Sequence, residues 1–194
     1  MYKINTCMFV LHTTLTDGDC LFDSIRIMFA SIHEDYTNEY LRSIVARPVV
    51  DMTDEDMCGT LKNWIDIYKG AVISRDWDIM NDYQHVSPAM RHADPYSREC
   101  RNEIYKSMMQ KSYWGEQHAL RIFEDHINVR LFVIFPDSSG RIVAHHPVVS
   151  DRRDYAAFLW LANRHYQPLS FQGVFIWPYE SGLDKLVKAG VVIT

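Results

Sequence analysis

Val129-Arg130-Leu131-Phe132-Val133-Ile134-Phe135 is a nearly unbroken apolar run, and it constrains the fold more than any other segment. A stretch of this β-branched and aromatic character predicts a central strand. Pro136-Asp137-Ser138-Ser139-Gly140 then reads as a turn, and Arg141 to His146 as a partner strand. Asp154 to Leu161 fits either a short helix or a strand. His165 to Leu169 and Gly173 to Trp177 read as two closely spaced strands joined through Ser170-Phe171-Gln172. Leu183 to Ala189 closes the chain as an amphipathic turn or two.

The first half has a different period. Cys7 to Leu11 reads as a short strand. Leu21, Phe22, Ile25, Met28 and Phe29 then recur at helical spacing, which predicts a helix from Cys20 to about Ser31. Asp35 to Ala46 follows as a second helix, stopped by Pro48. Thr53 with Asp54-Glu55-Asp56 supplies a capping hydroxyl and first-turn acids for a third, running to Gly70. A shorter helix is expected over Arg75 to Tyr83, and a loop over Gln84 to Tyr96. Ser97 caps another helix to about Gln110, and Glu116 to His126 forms the last before the central strand. The expectation is one α+β domain over 1–194, with a helical region around 35–110 and a sheet built from the second half.

The net charge of −5 leaves no basic tract to neutralise a phosphate backbone, so a nucleic-acid partner is not expected. No apolar window approaches the ~18 residues of a membrane span. The four cysteines, Cys7, Cys20, Cys58 and Cys100, are far apart and include no CxxC pair. That usage suits a reducing, intracellular setting better than a disulfide framework or a zinc site. No cofactor and no metal are expected, since no HExxH occurs and the histidines and cysteines lack ligand spacing.

The segment that bears chemistry is Thr16-Asp17-Gly18-Asp19-Cys20-Leu21-Phe22. It is an acidic turn that delivers a cysteine to the start of a helix. A helix N-terminus favours a thiolate, the turn exposes backbone N–H groups, and Gly18 permits a tight bend. A plain turn followed by a buried helix cysteine is the ordinary alternative. A cysteine nucleophile also needs a base, and nine histidines are available. His165 stands apart: in Asn163-Arg164-His165-Tyr166-Gln167-Pro168 a polar run enters a short strand, a place from which an imidazole reaches a cleft.

Asp17-Gly18-Asp19-Cys20-Leu21-Phe22 resembles the nucleophile motif of the ovarian-tumour (OTU) family of papain-like cysteine proteases. Tyr113-Trp114-Gly115-Glu116, with the helix and central strand after it, is similar to the family's tryptophan-glycine turn. Arg164-His165-Tyr166 looks like its histidine segment. The resemblance spans roughly Leu11 to Trp177, and 47–110 contains no matching motif. It implies a papain-like fold with a central, mostly antiparallel sheet flanked by helices. It also implies a deubiquitinase that hydrolyses the bond after the C-terminal glycine of ubiquitin, with ubiquitin, polyubiquitin or a ubiquitin-like modifier as partner.

On that resemblance Cys20 attacks the glycine carbonyl and His165 acts as base and then acid. Backbone N–H groups of Gly18, Asp19 and Cys20 hold the oxyanion, and Asp17 braces the turn. Many relatives carry an Asp or Asn two residues after the histidine, where this chain has Gln167. Gln167 is therefore the candidate orienter of the imidazole, with a carboxylate from elsewhere, such as Asp17, or an unassisted Cys–His dyad as alternatives. Trp114, Gly115 and Tyr166 are candidates for cleft support, with plain packing as the ordinary explanation. Asp19 is expected to face solvent. Two other readings stay open: a weak or inactive ubiquitin-binding relative, and an unrelated soluble interaction protein. The compact chain is consistent with a virus- or pathogen-encoded enzyme acting in host cytoplasm.

Overall fold

The computed structural model describes residues 9–51, 55–91, 94, 97–115, 117–145 and 153–194. They fall into two compact units. One is built from the chain up to Asn38 together with Gly115–Thr194, the other from Glu39–Trp114. Among the described residues, no helix is long and apolar enough to cross a membrane.

The first unit is a seven-stranded mixed sheet with helices. The strands are β1 (Phe9–Leu11), β2 (Val129–Pro136), β3 (Ile142–His145), β4 (Tyr155–Ala162), β5 (His165–Phe171), β6 (Trp177–Pro178) and β7 (Val192–Ile193). The order is β1-β5-β4-β2-β3-β7, with β6 pairing β4. The β2–β4 and β3–β7 pairs are parallel, and the others are antiparallel. β2 and β4 lie side by side from Val129↔Tyr155 to Ile134↔Trp160. Both strands are buried in successive residues, as a sheet covered on two faces requires.

Side chains alternate between those faces. Phe132, Ile134, Ala156, Phe158 and Trp160 share a core cluster with Leu186 of a helix over Tyr179–Lys188. The equally buried Leu131, Val133, Ala157 and Leu159 turn the other way. Helices over Cys20–Ala30 and Gln117–Ile127 meet through Phe22 and Phe123, whose rings stand edge-on at 5.9 Å. Glu124 closes the turn into β2: it accepts from the Leu131 N–H at 2.7 Å and pairs with buried Arg130 at 3.0 Å.

The second unit is helical. It carries nearly all of the helix Asn38–Asp51, then Glu55–Ser74, Trp77–Asp82, a 3-10 helix over Gln84–Arg91, and Arg98–Met108. In chain order the α-helices of the protein are thus α1 (Cys20–Ala30) through α7 (Tyr179–Lys188), with Gln117–Ile127 as α6. Buried Arg42 draws three carbonyls together at the end of α5 (Arg98–Met108). It donates to those of Met108, Gln110 and Tyr113 at 3.1, 2.8 and 2.9 Å. Helix C-termini leave such oxygens without partners, and a cation there is favoured. His85 is buried with its ring edge-on to Trp64 and Tyr113.

Several boundaries differ from the sequence expectation. α2 (Asn38–Asp51) runs through Pro48. The proline removes one N–H, but Leu41, Val45, Ala46 and Val49 are fully buried along the packed side and outweigh that single bond. α3 (Glu55–Ser74) likewise passes Gly70, where Ala71 is buried. The expected start at Thr53 lies outside the described residues. The expected loop after Gln84 is instead the 3-10 helix, in which buried Val86 and Ala89 stack at its three-residue period. The expected cap at Ser97 forms, its hydroxyl accepting the Cys100 N–H at 3.2 Å. Asp154 to Leu161 resolves as strand β4. The expected strand Gly173–Trp177 shrinks to a bridge at Val174 and the short β6, because Gln172 and Gly173 take φ of 52° and 79° and reverse the chain.

Half-buried His118 on α6 has a pKa lowered to about 4, chiefly by desolvation and then by the Arg121 charge. The unfolded ring titrates near 6.5. The unfolded chain therefore binds the extra proton between those values. Stability is intact above pH ~6.5 and falls as the pH drops toward 4, by about 3 kcal/mol. Urea unfolding across that window should show the loss, and His118→Gln should flatten it; an unchanged slope in the variant would show that other groups govern acid stability.

Candidate functional site

Cys20 is the first residue of α1. Asp19 stands at the N-cap with φ −93° and ψ 1°, but its side chain makes no capping hydrogen bond. The helix opens with the Asp23 N–H donating to the Asp19 carbonyl at 2.7 Å. Gly18 takes φ 95°, a left-handed conformation that a side chain would strain. The loop into this turn is tied down from inside the helix. Asp23 Oδ2 accepts the Leu15 N–H at 3.0 Å, while Oδ1 accepts from Arg26 Nε and Nη2 at 2.9 and 2.7 Å. Asp23 is buried, whereas Asp17, expected to brace the turn, is exposed. Nothing in the sequence pattern distinguished Asp23 from an ordinary helical acid.

Asp19 is a correction. It was expected in solvent and is only 5% exposed. It sits between a buried glycine and a helix whose first six residues are all buried, so the turn as a whole is taken into the protein.

The thiol of Cys20 is also inside, with the residue 5% exposed. Burial raises its pKa above the ordinary value. Backbone hydrogen bonding at Tyr166, Leu21 and Cys20 itself pulls the other way, and the nearby Asp19 charge adds to the rise. A bond that lowers a thiol's pKa favours the charged sulfur, so these groups are N–H donors aimed at Sγ. The helix start was expected to make a thiolate; desolvation wins, and the resting sulfur holds its proton.

Tyr166 lies on β5, so its N–H joins the head of α1 to the sheet beside His165. His165 is the first residue of that strand, and its partner across the hairpin is Ala162. Asn163 and Arg164, at φ 52° and 60°, form the two-residue turn between them. The imidazole is half-buried, and its Nε2 lies 3.1 Å from the hydroxyl of Thr14. That hydroxyl also donates to the Tyr166 carbonyl at 2.8 Å. Thr14 is itself buried. The sequence reading missed it, and a threonine six positions before a cysteine gives no signal that could have found it.

Gln167 is arranged otherwise than expected. Its amide nitrogen donates to the His12 carbonyl at 3.2 Å, which ties β5 to the segment after β1. The group that meets the ring of His165 is Thr14. Tyr166 is half-buried and contributes through its backbone. Gly115 has φ 74°, and a Cβ there would stand 2.6 Å from Cδ2 of the fully buried Leu21, the residue after Cys20. Gly115 thus lets the chain pass against the base of α1. Trp114, the last residue of the other unit, is 48% exposed. Among the described residues no three His, Cys, Asp or Glu side chains converge as metal ligands.

No protein-family model matches the sequence. No curated protein matches it. Solved structures do resemble it. An OTU deubiquitinase from Wolbachia pipientis wMel shares 17% identity, covering 93% of this chain and 95% of that one, with a TM-score of 0.50. An ovarian-tumour (OTU) domain in complex with ubiquitin shares 14%, covering 93% and 84%, with a TM-score of 0.54. The viral OTU domain protease from Farallon virus shares 11%, covering 88% and 89%, with a TM-score of 0.50. The chain has the α+β fold of the OTU deubiquitinases.

Two outcomes are expected from this geometry. Gly115→Ala forces a Cβ onto Leu21 at a positive φ, and should lower unfolding stability by about 1–3 kcal/mol; a neutral substitution would mean that Leu21 yields. Alkylation of Cys20 by iodoacetamide in the free protein, followed by peptide mass mapping, should keep rising past pH 9.0, the thiol's ordinary value. A plateau at neutral pH would reveal a thiolate instead.

Proposed function

We propose that the protein is a thiol-dependent deubiquitinase that hydrolyses the isopeptide or peptide bond after the C-terminal glycine of ubiquitin. One observation carries the reading: within an OTU fold, α1, headed by Cys20, packs on β5, headed by His165. Residues 1–194 supply the protease domain, with Cys20 as nucleophile and His165 as base. The OTU domain found in complex with ubiquitin supports ubiquitin as partner. A polyubiquitin chain and a ubiquitin-like modifier are further substrates within the same chemistry. The reading extends to a virus- or pathogen-encoded enzyme acting in host cytoplasm; the Farallon virus neighbour lends support to the viral origin alone.

The sulfur begins protonated. His165 removes that proton as Sγ attacks the glycine carbonyl carbon, forming the C–S bond and placing the carbonyl electron pair on oxygen. Backbone N–H groups of Gly18, Asp19 and Cys20 receive this oxyanion, and Asp17 braces the turn that presents them. When the carbonyl re-forms, the C–N bond breaks and the leaving lysine or main-chain amine takes the proton from His165. Water then attacks the thioester, giving one proton to His165, and the ring returns it to the departing sulfur. Gly115 supports this cleft from beneath α1. A second reading, a relative that binds ubiquitin without cleaving it, draws on the neutral, buried thiol.

Ubiquitin carrying a thiol-reactive group at its C-terminus, incubated with the protein, tests this directly. Intact mass should show one added ubiquitin, mapped to Cys20, absent in Cys20→Ala and slowed about 100-fold or more in His165→Ala. Ubiquitin binding without an adduct would favour the non-cleaving relative; neither binding nor adduct would defeat the reading.

A further inference from the structure

We propose that Thr14 is the positioning residue of the site: its hydroxyl fixes the neutral imidazole of His165 as the Nε2–H tautomer and leaves Nδ1 free to take the Cys20 proton. The proposal rests on the proposed deubiquitinase reading for its catalytic consequence, and on the hydrogen bonds alone for the tautomer.

The argument is a count of protons. A threonine hydroxyl has one hydrogen to donate and lone pairs to accept with. The Tyr166 carbonyl can only accept, so the 2.8 Å bond to it uses the Thr14 hydrogen. Toward His165 Nε2, at 3.1 Å, the same oxygen must then accept, and Nε2 must carry the proton. A neutral imidazole has one N–H, so Nδ1 is the basic nitrogen. The amide of Gln167 goes to the His12 carbonyl and does not compete for the ring. Thr14 is also well placed to hold a ring still. It is buried, its β-branched side chain is stiff, and its other bond locks it to β5 next to the ring it orients.

The role also accounts for the missing carboxylate or asparagine at position 167. A hydroxyl accepts an imidazole N–H in the same sense, but as a neutral group it stabilises an imidazolium less. Orientation is retained.

The test has one arm that needs no substrate. In protein labelled with ¹⁵N in histidine, ring correlation spectra at a pH above the imidazole titration should show His165 protonated at Nε2. Thr14→Val, which keeps the shape and removes the hydroxyl, should shift it toward a mixture of tautomers, and Thr14→Ser should restore the wild-type pattern. The second arm uses ubiquitin with a fluorogenic amide at its C-terminal glycine. Thr14→Val should lose about tenfold or more in kcat with KM little changed, and Thr14→Ser should recover most of it. His165 protonated at Nδ1 in the wild type overturns the proposal without any variant. So does Thr14→Ser as impaired as Thr14→Val, or a greater loss of kcat in Gln167→Ala than in Thr14→Val. A wild type that shows the Nε2–H tautomer and its Thr14 dependence but hydrolyses nothing defeats the deubiquitinase reading and leaves the positioning role in place.

Discussion

The peptide of Tyr166 is held at both ends, and the site depends on it. Its carbonyl accepts from Thr14, and its N–H meets the sulfur of Cys20. The two bonds tie three separate pieces of chain to one residue: the segment after β1, the head of α1, and β5. Each piece is anchored again nearby. Asp23 fastens the Leu15 N–H to α1, Gln167 fastens the His12 carbonyl to β5, and the His12 N–H reaches the Pro168 carbonyl. Burying these groups obliges them to find partners, so the polar ties that close the loop also fix where Cys20 and the His165 imidazole stand.

The electrostatics of the thiol follow from its burial. A helix N-terminus contributes about 0.3–1 kcal/mol toward an anion, and at most about 2. That is on the order of one pKa unit, whereas full burial moves a group by about 3–5. For Cys20 the larger effect prevails and the neighbouring Asp19 charge adds to it. A carboxylate beside an incipient thiolate is unfavourable on energetic grounds. Asp19 is nonetheless buried with the rest of the turn.

Much of this was legible in the chain. The apolar run at Val129 announced β2 because a strand covered on both faces needs no alternation. Cys20 and His165 were singled out because turn and strand-entry residues mark where side chains are presented, and they stand at the head of α1 and at the first position of β5. The unforeseen parts are those that depend on long-range partners. Pro48 sits inside α2 because buried neighbours outweigh one lost bond. Asp19 is buried because the whole turn is. Thr14 approaches His165 because β1 pairs β5 up to Leu11↔Leu169 and the side chain of His12, just beyond, reaches Ser170 across 158 positions of sequence, and no local pattern encodes that register. Gln167 is placed otherwise for the same reason: its spacing from His165 puts it on the same face, but the His12 carbonyl, in the segment after β1, claims its amide nitrogen.

The neutral thiol and the hydroxyl-backed imidazole are separate observations that agree in consequence. A carboxylate behind the ring would favour an imidazolium, and with it a resting thiolate. Thr14 does not supply that charge, and burial withholds it from the sulfur. In the proposed reaction the proton therefore stays on Cys20 until a carbonyl carbon is there to be attacked and an oxyanion can share the negative charge with backbone N–H groups. Charge appears in this site together with the substrate that disperses it. On that account a buried cysteine can remain quiet toward small oxidants and alkylating agents and still act as a nucleophile. On the proposed reading, selectivity comes from what fits against the turn before Cys20 and from the aim of the His165 ring.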